Sequence, residues 1–200
     1  MKLLVATTNR NKLREIRPLL DALRVDVLTL GGLPPMPEPD ESGSTFWENA
    51  RIKALAYTAA SGLTVVAEDS GLEIRALGGA PGVQSARFLG PDVPYPMRFE
   101  ALYRQLEETR TTDRQARFVT ALTLARGSDV LFETEAWIDG EIAERPKGEN
   151  GFGYDPIFYY PPLRKTTGEM TLAEKAIVSH RARAFRDLAR WLTRESLAQL

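Results

Sequence analysis

The 200-residue chain carries 26 basic and 27 acidic residues, so its net charge of −1 provides no overall field that would draw it to nucleic acid or an anionic membrane. The absence of cysteine and the presence of one histidine exclude disulfides, thiolate metal sites and His-rich zinc sites, but an oxygen-ligated cation such as Mg²⁺ stays compatible. No apolar stretch approaches the ~18 residues that a membrane span needs, so we expect one cytoplasmic domain over residues 1–200.

The chain begins with a predicted strand, turn and helix: an apolar strand over residues 2–7, a polar turn, and an amphipathic helix that continues to Leu23. Such a turn directs free N–H groups and the positive end of the helix dipole at one point, which suits a phosphate. The candidate phosphate-binding residues are Thr7, Thr8, Asn9, Arg10, Asn11 and Lys12. The alternative is that Thr8, Asn9 or Asn11 only caps the helix and Lys12 is solvated.

The next predicted elements are a strand, a loop with four prolines and a helix, at residues 25–30, 31–43 and 44–60. Thr45 and Glu48 have the spacing of a capping box, which gives Glu48 a structural role at the helix N-terminus. Glu41, at the end of the loop, is then the better candidate for a metal ligand. Lys53 is predicted to be an exposed helix lysine unless other evidence places it near a phosphate.

An apolar run over residues 63–67 ends in two acids, Glu68 and Asp69, followed by Ser70 and Gly71. The run predicts a buried strand, and ligands of α/β folds bind at the carboxyl ends of strands. We therefore interpret Asp69 as the prime catalytic candidate. The alternative is turn chemistry alone, because Asp and Ser side chains bond to local backbone and Gly allows positive φ. This stretch by itself favours neither.

The middle of the chain predicts a helix followed by three strands, at residues 98–108, 114–125, 130–138 and 141–145. The first two strands are separated by a short polar break that is typical of a hairpin. Because these strands cluster without helices between them, we expect a mixed sheet rather than a purely parallel one.

Residues 148–158 are rich in glycine and place Phe152 between two glycines, with Asp155 directly after Tyr154. An aromatic ring beside hydrogen-bonding backbone suits a flat heterocycle, because stacking contributes ~1–3 kcal/mol per base. The alternative, which this stretch alone favours, is an ordinary hairpin loop whose aromatic side chains return to the core.

The C-terminal region starts with a second capping box, Thr171 and Glu174, and is predicted to be helical. It carries the donors Lys175, Ser179 and His180, which could bind the carbonyl groups of a base. The alternative is a solvated helix face.

Six separate runs, in this order and spacing, are shared with one family: Thr7–Lys12, Glu41–Gly43 with Phe46–Ala50, Glu68–Leu72, Gly78–Gly82 with Ser85–Arg87, Gly151–Phe158, and Lys175 with Ser179–Arg181. Together they resemble the inosine triphosphate pyrophosphatase family, which removes deaminated purine nucleoside triphosphates from the nucleotide pool. The resemblance implies a two-lobed α/β fold with a long mixed central sheet flanked by helices and an active cleft between the lobes. It also implies a homodimer and Mg²⁺-dependent cleavage of ITP, dITP or XTP to the monophosphate and pyrophosphate.

The same resemblance implies a role for each candidate residue. Thr7–Lys12 and Lys53 would hold phosphates, Glu41 and Asp69 would serve the metal and the attacking water, and Ser70 would contact the substrate. The base pocket would comprise Phe152, Gly153, Tyr154, Asp155, Lys175, His180 and Arg181.

Glu68 stands where many relatives have Asp, and we interpret it as a supporting carboxylate. Two other functions stay open from the sequence: a non-catalytic nucleotide-binding module, and a pyrophosphatase that acts on other modified nucleotides.

Overall fold

A computed structural model of the chain describes residues 2–21 and 25–198. Its strands are β1 (Lys2–Val5), β2 (Asp26–Thr29), β3 (Thr64–Ile74), β4 (Gln115–Arg126), β5 (Asp129–Ile142), β6 (Phe158–Tyr160) and β7 (Lys165–Thr166). Its α-helices are α1 (Arg10–Leu20), α2 (Phe46–Ser61), α3 (Tyr95–Glu108), α4 (Leu172–Val178) and α5 (His180–Ala198). None of these helices is long and apolar enough to cross a membrane.

The seven strands form one sheet in the order β2-β1-β3-β4-β5-β6-β7. β1 pairs in parallel with β2 and β3, whereas β6 pairs antiparallel with β5 and β7. The parallel pairs are those whose connections contain α1 and α2, because parallel neighbours need a crossover. The predicted α/β fold with a mixed sheet flanked by helices is confirmed.

The chain divides into two compact units, of which the first comprises Met1–Asp69, Thr120–Ala136 and His180–Leu200. Successive residues of its strands face opposite sides of the sheet. On one side a core forms with α1 and α5, from Leu3, Val5, Val66, Ile16, Leu20, Phe185 and Leu188. On the other side a core forms with α2, from Leu4, Ala6, Val65, Ala67, Ala54 and Tyr57.

The second unit comprises Ser70–Val119 and Trp137–Ser179. Its core includes buried residues of α3 and the strands, among them Leu72, Ile74, Phe99, Leu102, Phe118, Ile138 and Phe158. The buried guanidinium of Arg98 on α3 donates to five main-chain carbonyls, those of Ser85, Ala86, Gly90, Pro91 and Val93. These bonds fix the loop that precedes α3.

Strand β3 runs without a break from Thr64 to Ile74, so the prediction that a strand ends at Glu68 and Asp69 is wrong. The polar residues lie between two apolar runs, and both runs are buried in the sheet. Continuing the strand therefore buries apolar side chains on either side of the acids, and each acid forms an ion pair with a basic side chain.

Three other boundaries differ from the sequence prediction. No separate strand covers 141–145, because β5 itself extends to Ile142, where it pairs with Phe158 of β6. The predicted C-terminal helical region is interrupted at Ser179, whose ψ of 151° is extended, and so forms α4 and α5. The helix predicted to reach Leu23 ends at Leu20 as α1, and Leu23 lies outside the described residues.

Candidate active site

Helix α2 presents two buried polar side chains, Asn49 and Lys53, one turn apart on the same face. The helix starts where the sequence predicts, because Thr45 caps the N–H of Glu48 and the Glu48 carboxylate accepts from the N–H of Thr45. Hydrogen bonds from Ser44 also lower the pKa of Glu48. Glu48 therefore belongs to the helix cap, and Glu41 is the carboxylate directed to the site.

The ammonium of Lys53 lies between two carboxylates, 3.2 Å from Glu41 Oε1 and 3.1 Å from Asp69 Oδ1. Burial lowers the pKa of Lys53, but the attraction of Asp69 and Glu41 outweighs it, so the pKa is raised above the usual value. Lys53 is therefore a permanent cation at neutral pH. The prediction of an exposed lysine is wrong, because only 11% of the side chain is accessible.

Asn49 ties the loop that carries Glu41 to the catalytic candidate Asp69. Its Nδ2 donates to Asp69 Oδ2 at 3.2 Å, and its Oδ1 accepts from the N–H of Gly43 at 2.8 Å. A Cβ at Gly43 would lie 2.6 Å from Asn49 Oδ1, so only glycine lets the main chain at position 43 lie this close to the Asn49 side chain. Sequence reasoning missed Asn49; the available signal was a poor helix former four residues before Lys53, in the middle of a helix.

Glu68 lies on the opposite side of β3 from Asp69, facing α1 and α5. Arg181 Nε donates to its carboxylate at 2.8 Å, and Lys12 Nζ is 3.5 Å away. Burial raises the pKa of Glu68, but Arg181 and Lys12 outweigh it and lower the pKa to about 2. A second buried acid, Glu15 of α1, pairs with Arg181 at 2.5 Å. Glu15 was not predicted from the sequence, in which its position on the apolar side of α1 is the available signal.

The turn before α1 provides a helix cap. Asn9 Oδ1 accepts from the N–H groups of Asn11 and Lys12 at 2.9 and 3.2 Å, and Thr7 Oγ1 accepts from the N–H of Asn9. Capping by Asn9 is therefore observed, while Thr8 of the same turn and Arg10 at the start of α1 are exposed. Lys12 is not solvated, since only 16% of its side chain is accessible, and burial lowers its pKa. Phosphate binding by this turn stays a prediction.

Three of the predicted base-pocket residues meet in the second unit. Asp155, 2% exposed, accepts from the N–H of Phe152 at 2.7 Å and from Lys175 Nζ at 2.5 Å. The ammonium of Lys175 also lies 5.2 Å from the centre of the Phe152 ring. The arrangement places one aromatic ring and one cationic donor side by side on a buried carboxylate.

Tyr154 and the glycines around it serve the local structure of this loop. The Tyr154 ring is buried against Tyr95, its hydroxyl donates to the carbonyl of Ser85 at 2.9 Å, and burial raises its pKa to about 12. For Tyr154, therefore, the alternative arrangement is observed: its aromatic side chain returns to the core. Gly153 has a φ of 66°, which turns the chain between Phe152 and Tyr154.

The remaining candidates occupy separate elements. Ser70 is a half-buried residue of β3 in the second unit, and His180 is buried at the start of α5 in the first unit. The interruption at Ser179 assigns Lys175 to the second unit and Arg181, with Glu68 and Glu15, to the first. A role of His180 and Arg181 in base recognition stays a prediction.

The oxygen donors of Glu41 and Asp69 fit a hard cation. Both carboxylates already contact one positive charge, the ammonium of Lys53. In the described part of the chain no group of three or more His, Cys, Asp or Glu side chains could hold a metal ion. Two carboxylates suit Mg²⁺ in particular, because it keeps several waters and takes further oxygens from substrate phosphates.

Comparisons with known proteins identify the family to which this chain is similar. A sequence model of the Ham1 family matches residues 3–191. The chain is 48% identical to a dITP/XTP pyrophosphatase of Syntrophobacter fumaroxidans, over 94% of the chain and 80% of the relative. It is 47% identical to a dITP/XTP pyrophosphatase of Exiguobacterium sp., over 94% of the chain and 95% of the relative.

Two solved structures of Ham1 proteins have the same fold as this chain. A HAM1 protein from Coxiella burnetii superimposes with a TM-score of 0.88 at 37% identity, over 97% of this chain and 99% of that one. The Ham1 protein of Staphylococcus aureus superimposes with a TM-score of 0.87 at 37% identity, over 98% of this chain and 100% of that one. The resemblance noted in the sequence is confirmed.

Proposed function

Because the chain belongs to the Ham1 family, we propose that it hydrolyses non-standard purine nucleoside triphosphates, such as dITP, XTP and ITP, to the nucleoside monophosphate and pyrophosphate. The observation that carries the proposal is the contact of Lys53 with both Glu41 and Asp69. It brings two acids and a cation together in a protein whose relatives are named as pyrophosphatases of this substrate class.

Asp69 is the group that orients the attacking water and accepts its proton. Asn49 donates to Oδ2 of Asp69 and Lys53 donates to Oδ1, so the carboxylate is held in one orientation. Attack at the α-phosphorus develops negative charge on the phosphoryl oxygens, which positioned cations stabilise. Lys53 supplies one such charge directly beside Asp69.

Glu41 and Asp69 are the residues that would hold Mg²⁺. When bound, the ion would neutralise charge on the phosphates and make the attacking water more acidic. Lys53 contacts both carboxylates and so keeps them near each other. It also offers a donor to the phosphates, together with Lys12 and the turn Thr7–Asn11.

Base selectivity follows from the donors of the second unit. Hypoxanthine and xanthine carry a 6-oxo acceptor, whereas adenine carries a 6-amino donor in that place. The Lys175 ammonium can donate to the 6-oxo group but not to the 6-amino group, and Phe152 provides a ring on which the base stacks. A site that must donate to one group rejects an analogue lacking it by ~10⁴ or more.

A pyrophosphate-release assay with ITP, dITP and XTP, in the presence of Mg²⁺, tests the proposal, with ATP and GTP as controls. We expect rapid release from the three non-standard nucleotides and little from ATP. Equal rates with ITP and ATP would contradict the base-selectivity argument. Binding of ITP without release would instead support a non-catalytic nucleotide-binding module, and preference for another modified nucleotide would assign a different substrate.

A homodimer and a cytoplasmic location, where the nucleotide pool lies, complete the proposal. The dimer is supported by the resemblance to the inosine triphosphate pyrophosphatase family. Size-exclusion chromatography with light scattering tests it, since a monomer of this chain has a mass of 22.3 kDa.

A further inference from the structure

Thr167 is a fully buried residue that touches the carboxylate between the two predicted base-binding side chains. Its hydroxyl donates to Asp155 Oδ1 at 2.8 Å and lies 3.1 Å from the main-chain oxygen of Asp155. The other carboxylate oxygen, Oδ2, accepts from the N–H of Phe152 and from Lys175 Nζ. Among the residues that the structure describes, Thr167 is the residue that donates to Oδ1.

The two oxygens of Asp155 therefore have different functions. Oδ2 holds the groups that would meet a base, the Lys175 ammonium and the loop that carries the Phe152 ring. Oδ1 is held by Thr167, and this bond fixes the rotation of the carboxylate about its χ2 angle, a torsion that is otherwise broad. Without it, the carboxylate is held only through Oδ2, by the N–H of Phe152 and by Lys175 itself, so its orientation toward Lys175 is less restrained.

The main chain around Thr167 is positioned independently of its hydroxyl. A Cβ at the next residue, Gly168, would lie 2.7 Å from the carbonyl oxygen of Lys147 and 3.0 Å from Cα of Pro156, so the two chain segments pack backbone to backbone. Removing the hydroxyl should therefore leave the backbone in place. The effect of that hydroxyl is exerted on Asp155.

We propose that Thr167 is a positioning residue for recognition of the purine base, because its hydroxyl orients the Asp155 carboxylate that holds Lys175 and the Phe152 loop. The inference rests on the proposed function, since the ligand it concerns is the 6-oxopurine of that substrate. It adds a residue that the sequence motifs did not identify.

The test compares Thr167→Val, which removes the hydroxyl at nearly constant volume, with Thr167→Ser, which keeps it. Loss of a hydrogen bond to a charged group corresponds to about tenfold in an equilibrium constant. We expect Thr167→Val to raise the KM for ITP about tenfold with kcat nearly unchanged, and Thr167→Ser to restore the KM to the parent value. An unchanged KM in Thr167→Val overturns the proposal.

Thr58→Val is the matched control. Thr58 is equally buried, and its hydroxyl donates to the carbonyl of Leu63 at 2.6 Å in the first unit. This variant loses that hydrogen bond and the one that Thr58 Oγ1 accepts from the N–H of Gly127 at 3.1 Å, so we expect a lower unfolding midpoint with the KM for ITP retained. A rise in KM equal to that of Thr167→Val would show that general destabilisation is the cause and would overturn the proposal.

A second measurement does not depend on turnover. Slowed exchange of an ordered, buried ammonium makes the ¹H–¹⁵N signal of Lys175 observable by NMR, and we expect this signal in the parent and Thr167→Ser but not in Thr167→Val. Retention of the signal in Thr167→Val overturns the positioning role. If the parent protein releases no pyrophosphate from ITP, the proposed function fails while the ammonium signal still decides the role of Thr167. Should Thr167→Val not fold, Thr167→Ala replaces it in both measurements.

Discussion

Glu68 and Asp69 are neighbours in sequence, and their side chains lie on opposite sides of strand β3 in two different charge networks. Glu68 pairs with Arg181 and Lys12, and Asp69 pairs with Lys53. The strand separates the two carboxylates because consecutive residues of a strand alternate in direction. This relationship divides their roles: Glu68 is neutralised by buried cations, and Asp69 shares its cation with Glu41.

Asp69→Asn tests the catalytic assignment. The substitution keeps the shape and the contact with Asn49 but removes the group that accepts a proton, so we expect kcat to fall by at least about 100-fold with ITP binding still measurable. Pyrophosphate release and isothermal titration give the two quantities. Asp139→Asn, at an exposed position of β5, is the matched control and should retain full activity. Near-normal turnover of Asp69→Asn would refute the assignment.

Asn49→Ala tests the link between Gly43 and Asp69. It removes both side-chain hydrogen bonds from a fully buried position, and we expect a loss of about 1–3 kcal/mol in the free energy of unfolding together with reduced kcat. Urea denaturation and the pyrophosphate assay measure the two effects. Gln115→Ala removes an exposed amide and should change neither. An unaltered unfolding midpoint would mean that Asn49 contributes no net stability.

Glu68→Gln tests the pH dependence of stability. The folded-state pKa of Glu68, about 2, lies below the ordinary 4.5, so its stabilising effect is complete above pH 4.5 and is lost as the pH falls toward 2. At neutral pH the substitution leaves Arg181 and Lys12 short of a counter-charge, and we expect it to cost about 3–5 kcal/mol. The difference between the parent and Glu68→Gln should therefore shrink between pH 4.5 and 2, as followed by urea denaturation.

The control for this pH series is Glu174→Gln, at a surface ion pair with Lys165. Lys165 and the N–H of Thr171 lower the pKa of Glu174 to about 2 as well, but the pair is open to solvent and is screened by salt. We expect the effect of Glu174→Gln to fade at high salt, whereas the effect of Glu68→Gln persists. Equal salt sensitivity would contradict the buried character of the Glu68 network.

Gly151→Ala tests the packing of the base-binding loop on Asp155. Gly151 has a φ of 76°, and a Cβ there would lie 2.0 Å from Asp155 Oδ2, the oxygen that holds Lys175. We expect a large rise in the KM for ITP.

Gly127→Ala is the control, since Gly127 has a similar φ of 61° in the β4–β5 turn but open space around its Cα. The Gly127→Ala variant has only the backbone strain of an alanine in the left-handed region, about 1–2 kcal/mol, and its KM for ITP should equal that of the parent. Equal KM values for the two variants would show that contact with Asp155 is unimportant.

The fold could be predicted from local patterns to a large extent. The capping boxes at Thr45 and Thr171, the hairpin of β4 and β5 and the mixed sheet all occur as the sequence indicates. The boundary at Ser179 could not be predicted, because donors and apolar residues continue with helical spacing on both sides of it. The short strands β6 and β7 were missed for a similar reason: they exist through pairing with β5 and with each other.

The sequence by itself determined the candidates for the chemistry: its motifs predict the acids Glu41 and Asp69, the aromatic loop at Phe152 and the donor Lys175. Only the tertiary structure decided that Asn49 contacts Asp69, that Thr167 contacts Asp155 and that Glu15 pairs with Arg181. A motif records residue types along the chain, whereas a hydrogen bond such as Thr167 to Asp155 depends on two segments that meet after folding. The direction of each side chain from the sheet, which separates Glu68 from Asp69, likewise exists only once the strand is paired.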